Sequence, residues 1–387
     1  MHRRIFLKTV GLSGYALFAP RVLYAASRTG DYRNLLVLIE LKGGNDGYNT
    51  VIPYADTEYY RLRPQIAIPR DQVLQLDERT GLHFSLKPLM PLWQARELAI
   101  VQGVGYPQPN LSHFRSIEIW DTASSSGEYL SQGWLSRVFA SDPVPKQFAA
   151  DGLVVGSQDL GPLSGGGTRA ITLVNTEQFR REARLAGDAE LNVTNPALAH
   201  ILKVENDIQQ AASHLKGNYQ FKTEFPTTQF GNSLKNASQV IAEGGGVAAI
   251  KVSLNGFDTH SNQPGTQQRL LGELAEGLVA FKSALIEINH WNSTLIITYA
   301  EFGRRPQENL SHGTDHGTAN VHFMIGGKVR GGLFGPAPQL KQLDGNGNPA
   351  FGVDFRSLYA TAVENWWGLE SRTILGGKFA RLDVLRA

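Results

Sequence analysis

Most of the side chains in this sequence that suggest chemistry fall into five short clusters: Asp46; Ser112 and His113; Asp258 and His260; Glu301 and Arg304; Asp315 and His316. Gathered in one place, four carboxylates and two or three imidazoles need something positive between them. One or two divalent metal ions would meet that need. The 387-residue chain has no cysteine, so thiolate zinc sites, cysteine nucleophiles, iron–sulfur clusters and disulfides are all excluded. Any metal must then use imidazole, carboxylate and carbonyl donors, which leaves zinc, manganese, iron, calcium or magnesium. Two such ions, about 3.5–4 Å apart, would bind an oxyanion and stabilise the entering and leaving oxygens of an in-line displacement. Phosphoryl transfer suits that arrangement best. Ser112, with His113 beside it as a further catalytic candidate, could attack as an alkoxide at a helix N-terminus, while Arg304 gripped the remaining oxygens.

Each of these residues also has a plainer use. Asp46 follows Gly-Gly-Asn and suits a turn, and Ser112 suits a helix cap, a role that does not conflict with nucleophilicity. Glu301 and Arg304 could pair with each other alone. His260 and His316 each follow an aspartate within two residues, which favours ligation over an isolated hydrogen bond. His83, His200, His214 and His290 lack such a context, and the alternation of VHF buries His322 on a sheet face.

The elements that would position the clusters are strands. Residues 34–41 (NLLVLIEL) form a continuous apolar run that ends in the glycine-rich KGGNDG, as a buried central strand does. ELAIVQGVG, VAAIKVSL and STLIITYA repeat the pattern, each releasing one of the polar loops, and VHFMIGG reads as a further strand. Helices are expected from about Ser112, from about 266 to 289 and from about 354 to 367. Strands alternating with helices imply an α/β fold with a mainly parallel sheet and helices on both faces. In such sheets ligands lie beyond the carboxyl ends of the strands, the edge to which all five clusters belong. GLVVG and AITLV are short strand candidates of no legible function, and the polar, mostly helical stretch 176–243 reads as an insertion or cap rather than a separate domain.

A composition of 42% hydrophobic and 19% charged residues is that of a globular chain. A net charge of +2, with no basic stretch interleaved with aromatics, makes nucleic acid an unlikely partner. The first 26 residues carry Arg3 and Arg4 in RRIFLK, a weakly apolar stretch and a small-residue site at Ala25 and Ala26. This is the layout of a twin-arginine signal peptide, and the apolar run is far short of the roughly 20 residues that span a bilayer. The expected partner in export is the twin-arginine translocase, followed by cleavage and a periplasmic or secreted mature chain, residues 27–387, without a membrane span.

Taken together, RRIFLK, GGNDGYNTVIP, GLHFSLKPL, SHFRSIEIW, GFDTHSNQ, EFGRRPQEN, GTDHGTA and VDFRSLYAT occur in an order that resembles the exported family known as domain of unknown function 1501. The likeness spans nearly the whole mature chain. That family is similar in turn to the alkaline phosphatase superfamily, with its phosphatases, sulfatases and phosphodiesterases. The resemblance implies a three-layer α/β/α fold with a bimetal site, Asp46 as the first metal aspartate, Ser112 as the nucleophile, and Asp258 and His260 on the second metal. One residue separates Asp258 from His260, where the superfamily commonly has three. The resemblance allows two alignments: in the preferred one Glu301 takes the place of the strand-end aspartate and His316 that of a late histidine, and in the other Asp315 and His316 are themselves the superfamily's Asp-His couple; both put the same residues around the same metals. The expected function is a metal-dependent hydrolase acting on a small-molecule or envelope-derived phosphate ester. A sulfatase ranks lower, because SHFRS lacks the proline of the motif that is oxidised in those enzymes. The alternative is a non-catalytic binding or envelope-assembly protein on the same fold.

Overall fold

Alternate residues of the first apolar run point to opposite sides of a sheet, and each side is covered. The computed structural model describes residues 29–173, 219–244 and 246–386. The expected signal segment and the first part of the 176–243 stretch lie outside the described residues. The sheet strands are β1 (Leu35–Lys42), β2 (Leu98–Gly105), β3 (Ala150–Val155), β4 (Ala170–Leu173), β5 (Val247–Asn255), β6 (Thr294–Tyr299), β7 (Asn320–Ile325), β8 (Gly332–Phe334) and β9 (Val353–Asp354). Their spatial order is β8-β2-β7-β6-β1-β5-β3-β4, with β9 also paired to β2. β1 runs parallel to both β5 and β6, β3 is parallel to β4 and β5, and β7 alone is antiparallel to its neighbours β2 and β6. The expected mainly parallel sheet is present.

Val37, Ile39 and Leu41 of β1 face one layer, packed with Leu270, Leu274, Leu278 and Phe281 of the long helix α4 (Gln263–Glu287) and with Phe230 and Leu234 of α3 (Gln229–Ala242). Leu36 and Leu38 face the other, with Ile119 and Trp120 of α1 (His113–Thr122), Trp134 and Leu135 of α2 (Trp134–Ser141), and Leu358 and Tyr359 of α5 (Arg356–Ala360). The result is a three-layer α/β/α sandwich with both faces of the sheet dry. α5 passes directly into a wider-turned segment, Thr361–Trp366, so the expected C-terminal helix is there but not uniform.

Parallel strands send their carboxyl ends to one edge, and the loops of the five clusters emerge there. The stretch after β6, read as loop from the sequence, is instead an antiparallel hairpin of Gly303–Glu308 and Thr314–Gly317, in which Arg304 pairs with His316. It places Arg304, Asp315 and His316 on one small unit. His322 on β7 is fully buried, as alternation predicts, and burial pushes its imidazole down to about 3.

Beneath α1 lies a buried polar group of Glu40, Lys251, Asp121 and Tyr299. Lys251 Nζ sits 3.3 Å from both Glu40 Oε2 and Asp159 Oδ2, and Tyr299 donates to Asp121 at 3.5 Å. Burial pushes the Asp121 carboxyl well above its usual value against the pull of Lys251, with Glu40 and Asp159 pushing the same way. The folded protein therefore holds a proton that the unfolded chain releases above about pH 4. This cost is absent below the unfolded value and grows as the pH rises toward the folded one. Asp121→Asn, which removes the ionisation and keeps the shape, is expected to be more stable than the native chain at pH 8, with the gain shrinking toward pH 4. Urea melts at the two pH values check this, and an equal or larger gain at pH 4 would refute it.

Candidate metal centre

The centre is built around Asp258, which follows β5 by three residues, and around three histidines: His260 on the same loop, His113 at the start of α1 and His316 on the hairpin. His113 Nε2 lies 3.4 Å from Asp258 Oδ2, and His260 Nε2 and His316 Nε2 lie 3.1 and 3.4 Å from Oδ1. The two last imidazoles face each other nitrogen to nitrogen at 2.9 Å. One donor atom from each of His113, Asp258 and His316 lies within 4.8 Å of the others.

The outward nitrogens are all tied back. His113 Nδ1 meets Glu301 Oε1 at 2.8 Å, His316 Nδ1 donates to the Leu111 carbonyl at 2.7 Å, and His260 Nδ1 faces Asp315 Oδ1 at 3.4 Å. A ring whose Nδ1–H is held by a carboxylate or carbonyl presents a bare Nε2, the tautomer that ligates metal. Three such nitrogens aimed at one carboxylate are repelled by one another unless a proton or a cation sits among them. Burial pushes His316 below its usual 6.5, so this imidazole is neutral at physiological pH. Burial would raise the Asp258 carboxyl, but the hydrogen bond and charge of Arg304 outweigh it and hold the group below its usual value. An ionised aspartate and neutral imidazoles are the states a divalent cation requires.

Arg304 secures the frame. It is fully buried, and its guanidinium donates to the carbonyls of Gly44 (2.8 Å), Thr314 (2.9 Å), Phe257 (3.1 Å) and Gly43 and to Asp258 Oδ1 (2.6 Å). Three loops are thereby pinned to one cation. Gly43, at φ 112°, lets its loop come so close that a Cβ there would lie 2.4 Å from the Asp258 nitrogen. The start of α1 is fixed too: Ser116 Oγ donates to the Glu301 carbonyl and sits 2.9 Å from the Tyr106 hydroxyl, which accepts from the Asn110 nitrogen. Ser112 stands at the cap position, exposed, its side chain making no capping bond. It lies between Leu111, held by His316, and His113, so it is at the lip of the centre.

The geometry assigns several of the expected residues differently. Asp46 is not brought to the cluster: fully buried, it pairs with Arg63 through Nη1 (2.5 Å) and Nη2 (3.0 Å) and also accepts from Gln263 (2.5 Å) and the Tyr48 nitrogen (3.1 Å). Both oxygens are occupied. Arg304 cannot grip a substrate, because its donors are bound to carbonyls and to Asp258. Glu301 and Asp315 stand behind His113 and His260 as orienting partners, and His113, expected in a catalytic role, is a donor of the cluster. Glu301 also accepts from the Gly43 nitrogen at 3.0 Å, so Glu301→Gln should keep the loop in place yet lose the charge behind His113. We expect a 10- to 100-fold weaker hold on a divalent cation, read by chelator competition; an unchanged affinity would show that Glu301 has no such role. Arg63 and Gln263 were invisible to sequence reasoning, since nothing in RLRP or SNQP marks a partner for Asp46.

Fold and centre together define an α/β/α protein with a histidine-rich candidate cation site at the carboxyl edge of its sheet. The chain belongs to the family described as "Protein of unknown function (DUF1501)", whose model matches residues 74–376. A comparison with curated protein sequences finds no match. Among solved structures it is similar to Ps i-CgsB (10% identity, 89% of this chain and 74% of that one, TM-score 0.40). It is also similar to the C-terminal periplasmic domain of EcEptC from Escherichia coli in complex with Zn (11% identity, 78% and 74%, TM-score 0.36). A third is a TAB5 alkaline phosphatase mutant with Mg bound (12% identity, 80% and 95%, TM-score 0.34). Among the described residues, no helix is long and apolar enough to cross a membrane.

Proposed function

We propose that the mature chain is an exported hydrolase that cleaves a phosphate ester at one divalent cation, with Ser112 as nucleophile. The observation that carries this reading is the common orientation of three imidazoles: His113, His260 and His316 each have Nδ1 tied outward and Nε2 turned toward Asp258. Those four side chains would hold the ion. Three nitrogens and one carboxylate suit zinc better than calcium or magnesium, which prefer all-oxygen sites. When bound, such an ion supplies Lewis acidity and lowers the proton affinity of oxygens near it.

The remaining chemistry belongs to the chain. Ser112 Oγ, free of any capping bond, opens the ten-residue helix α1, whose first amides and dipole favour an anionic oxygen or phosphoryl group. The serine oxygen attacks phosphorus as the ester oxygen departs with a proton, giving a phosphoserine and an alcohol. Water then attacks the same phosphorus and returns the serine with release of phosphate. RRIFLK at the N-terminus supports export by the twin-arginine route.

A second reading, a non-catalytic binding module, is favoured by one observation, the withdrawal of Asp46 into an ion pair with Arg63, which leaves donors for one cation rather than two. Both readings are tested on the purified mature protein by metal content per chain and by turnover of phosphomonoester, phosphodiester and sulfate ester panels. Phosphate release with about one zinc per chain supports the hydrolase. Bound metal with every ester inert supports the module, and sulfate turnover alone moves the chain to the sulfatases.

A further inference from the structure

A cavity of about 210 Å³ opens between the sheet edge, at β2 and β7, and the segment 336–352. Its walls include Tyr48, Val51, Gln102, Val321, Pro336 and Phe351, and no lining residue carries a charged side chain. Two of the walls, Gln102 and Tyr48, bring polar atoms to an otherwise apolar lining. Gln102 is 7% exposed, and its side-chain amide makes no hydrogen bond among the described residues. Tyr48 is 5% exposed, and its ring lies under the Arg63 guanidinium at 5.1 Å. Both side chains line the cavity, so their hydrogen-bonding atoms are available to an occupant.

We propose that this cavity is a binding site for an uncharged, mainly apolar organic group that carries at least one hydrogen-bonding atom, such as a ring bearing an alcohol or an amide. An apolar cavity of roughly 150 Å³ accepts benzene, so the volume is adequate for a substituted ring. Apolar walls with a few convergent polar groups are the usual makeup of a small-molecule site. The absence of charged walls argues against phosphate or carboxylate as the occupant, since a charge taken there would be desolvated and unpaired. The site is separate from the His113–Asp258–His316 cluster, and it stands whether or not that cluster hydrolyses an ester.

Benzyl alcohol is the probe and benzoate its charged counterpart, titrated by calorimetry or ligand-observed NMR into the purified mature protein without any turnover assay. Saturable binding of benzyl alcohol is expected, with benzoate at least tenfold weaker. Val321→Trp, which fills the space, should weaken binding at least tenfold. Gln102→Leu should weaken it about three- to tenfold, the loss of one hydrogen bond, while leaving the melting temperature of the free protein equal or higher, because no native bond is lost. Absence of saturable binding, equal binding of benzoate, or binding indifferent to both substitutions overturns the proposal. Should Val321→Trp fail to fold, Gln102→Leu decides alone.

Discussion

Ser112→Ala is expected to abolish ester turnover by on the order of a thousandfold or more while the cation stays bound at full stoichiometry. The side chain lies at the lip of the centre, makes no capping bond, and is absent from every contact that orients the three imidazoles. Removing it should disturb neither fold nor metal. Asp258→Asn is the informative contrast. It removes the carboxylate that all three Nε2 atoms face, yet an amide oxygen can still accept from Arg304. The cation should then be lost with the activity, through a fall in affinity above about a hundredfold, beyond what loss of an outer partner costs. The two variants separate nucleophile from ligand when metal content and phosphate release are measured on the same preparations. If Ser112→Ala retains turnover, Ser112 is not the nucleophile. If Asp258→Asn retains metal, the centre has been placed wrongly.

Arg63→Met should be the most damaging single change to stability. All five guanidinium donors of Arg63 are used, on Asp46 Oδ1 and Oδ2, Asn49 Oδ1 and the carbonyls of Arg305 and Pro306, and both members of the pair are fully buried. Removing the cation strands the Asp46 charge in the interior, a loss of about 3–5 kcal/mol, against a total stability of about 5–15 kcal/mol for a typical protein. The double variant Asp46→Asn with Arg63→Met should recover at least half, because the stranded charge is gone. Urea melts of the three proteins test this. Metal content of the double variant tests something further, since it should still bind one cation per chain if Asp46 belongs to the frame and not to the centre. A fall in stoichiometry would return Asp46 to the ligand set.

The residues of the centre were legible as a set because they share a simple signature: polar residues directly after long apolar runs. Asp258, His260 and Glu301 stand within a few residues of such a run, Asp315 and His316 farther along the stretch after STLIITYA, and Ser112 and His113 at the end of the loop after ELAIVQGVG. Their division of labour was not legible. Whether a carboxylate faces a cation or the back of an imidazole depends on the direction of a side chain, and no spacing rule carries that direction from strand end to strand end. The hairpin at 303–317 is not legible for a related reason: GRRPQE and TDHG carry no apolar alternation, and the pairing rests on their backbone ladder with Arg304 donating across it to the Thr314 carbonyl.

Sequence alone determined the parallel α/β architecture, the edge on which the chemistry gathers, and the absence of thiol ligands, because hydrophobic periodicity and composition act locally and can be read residue by residue. Tertiary structure decided which carboxylates are free. Asp46 and Asp258 look alike along the chain, each following an apolar strand by a few residues. One is closed by Arg63, 17 residues on, and by Gln263 from a distant helix, whereas the other, 47% exposed in its side chain, has room for a cation. Ion pairing in a buried site depends on which long-range neighbour the fold holds at hydrogen-bonding distance, and only the folded chain fixes that.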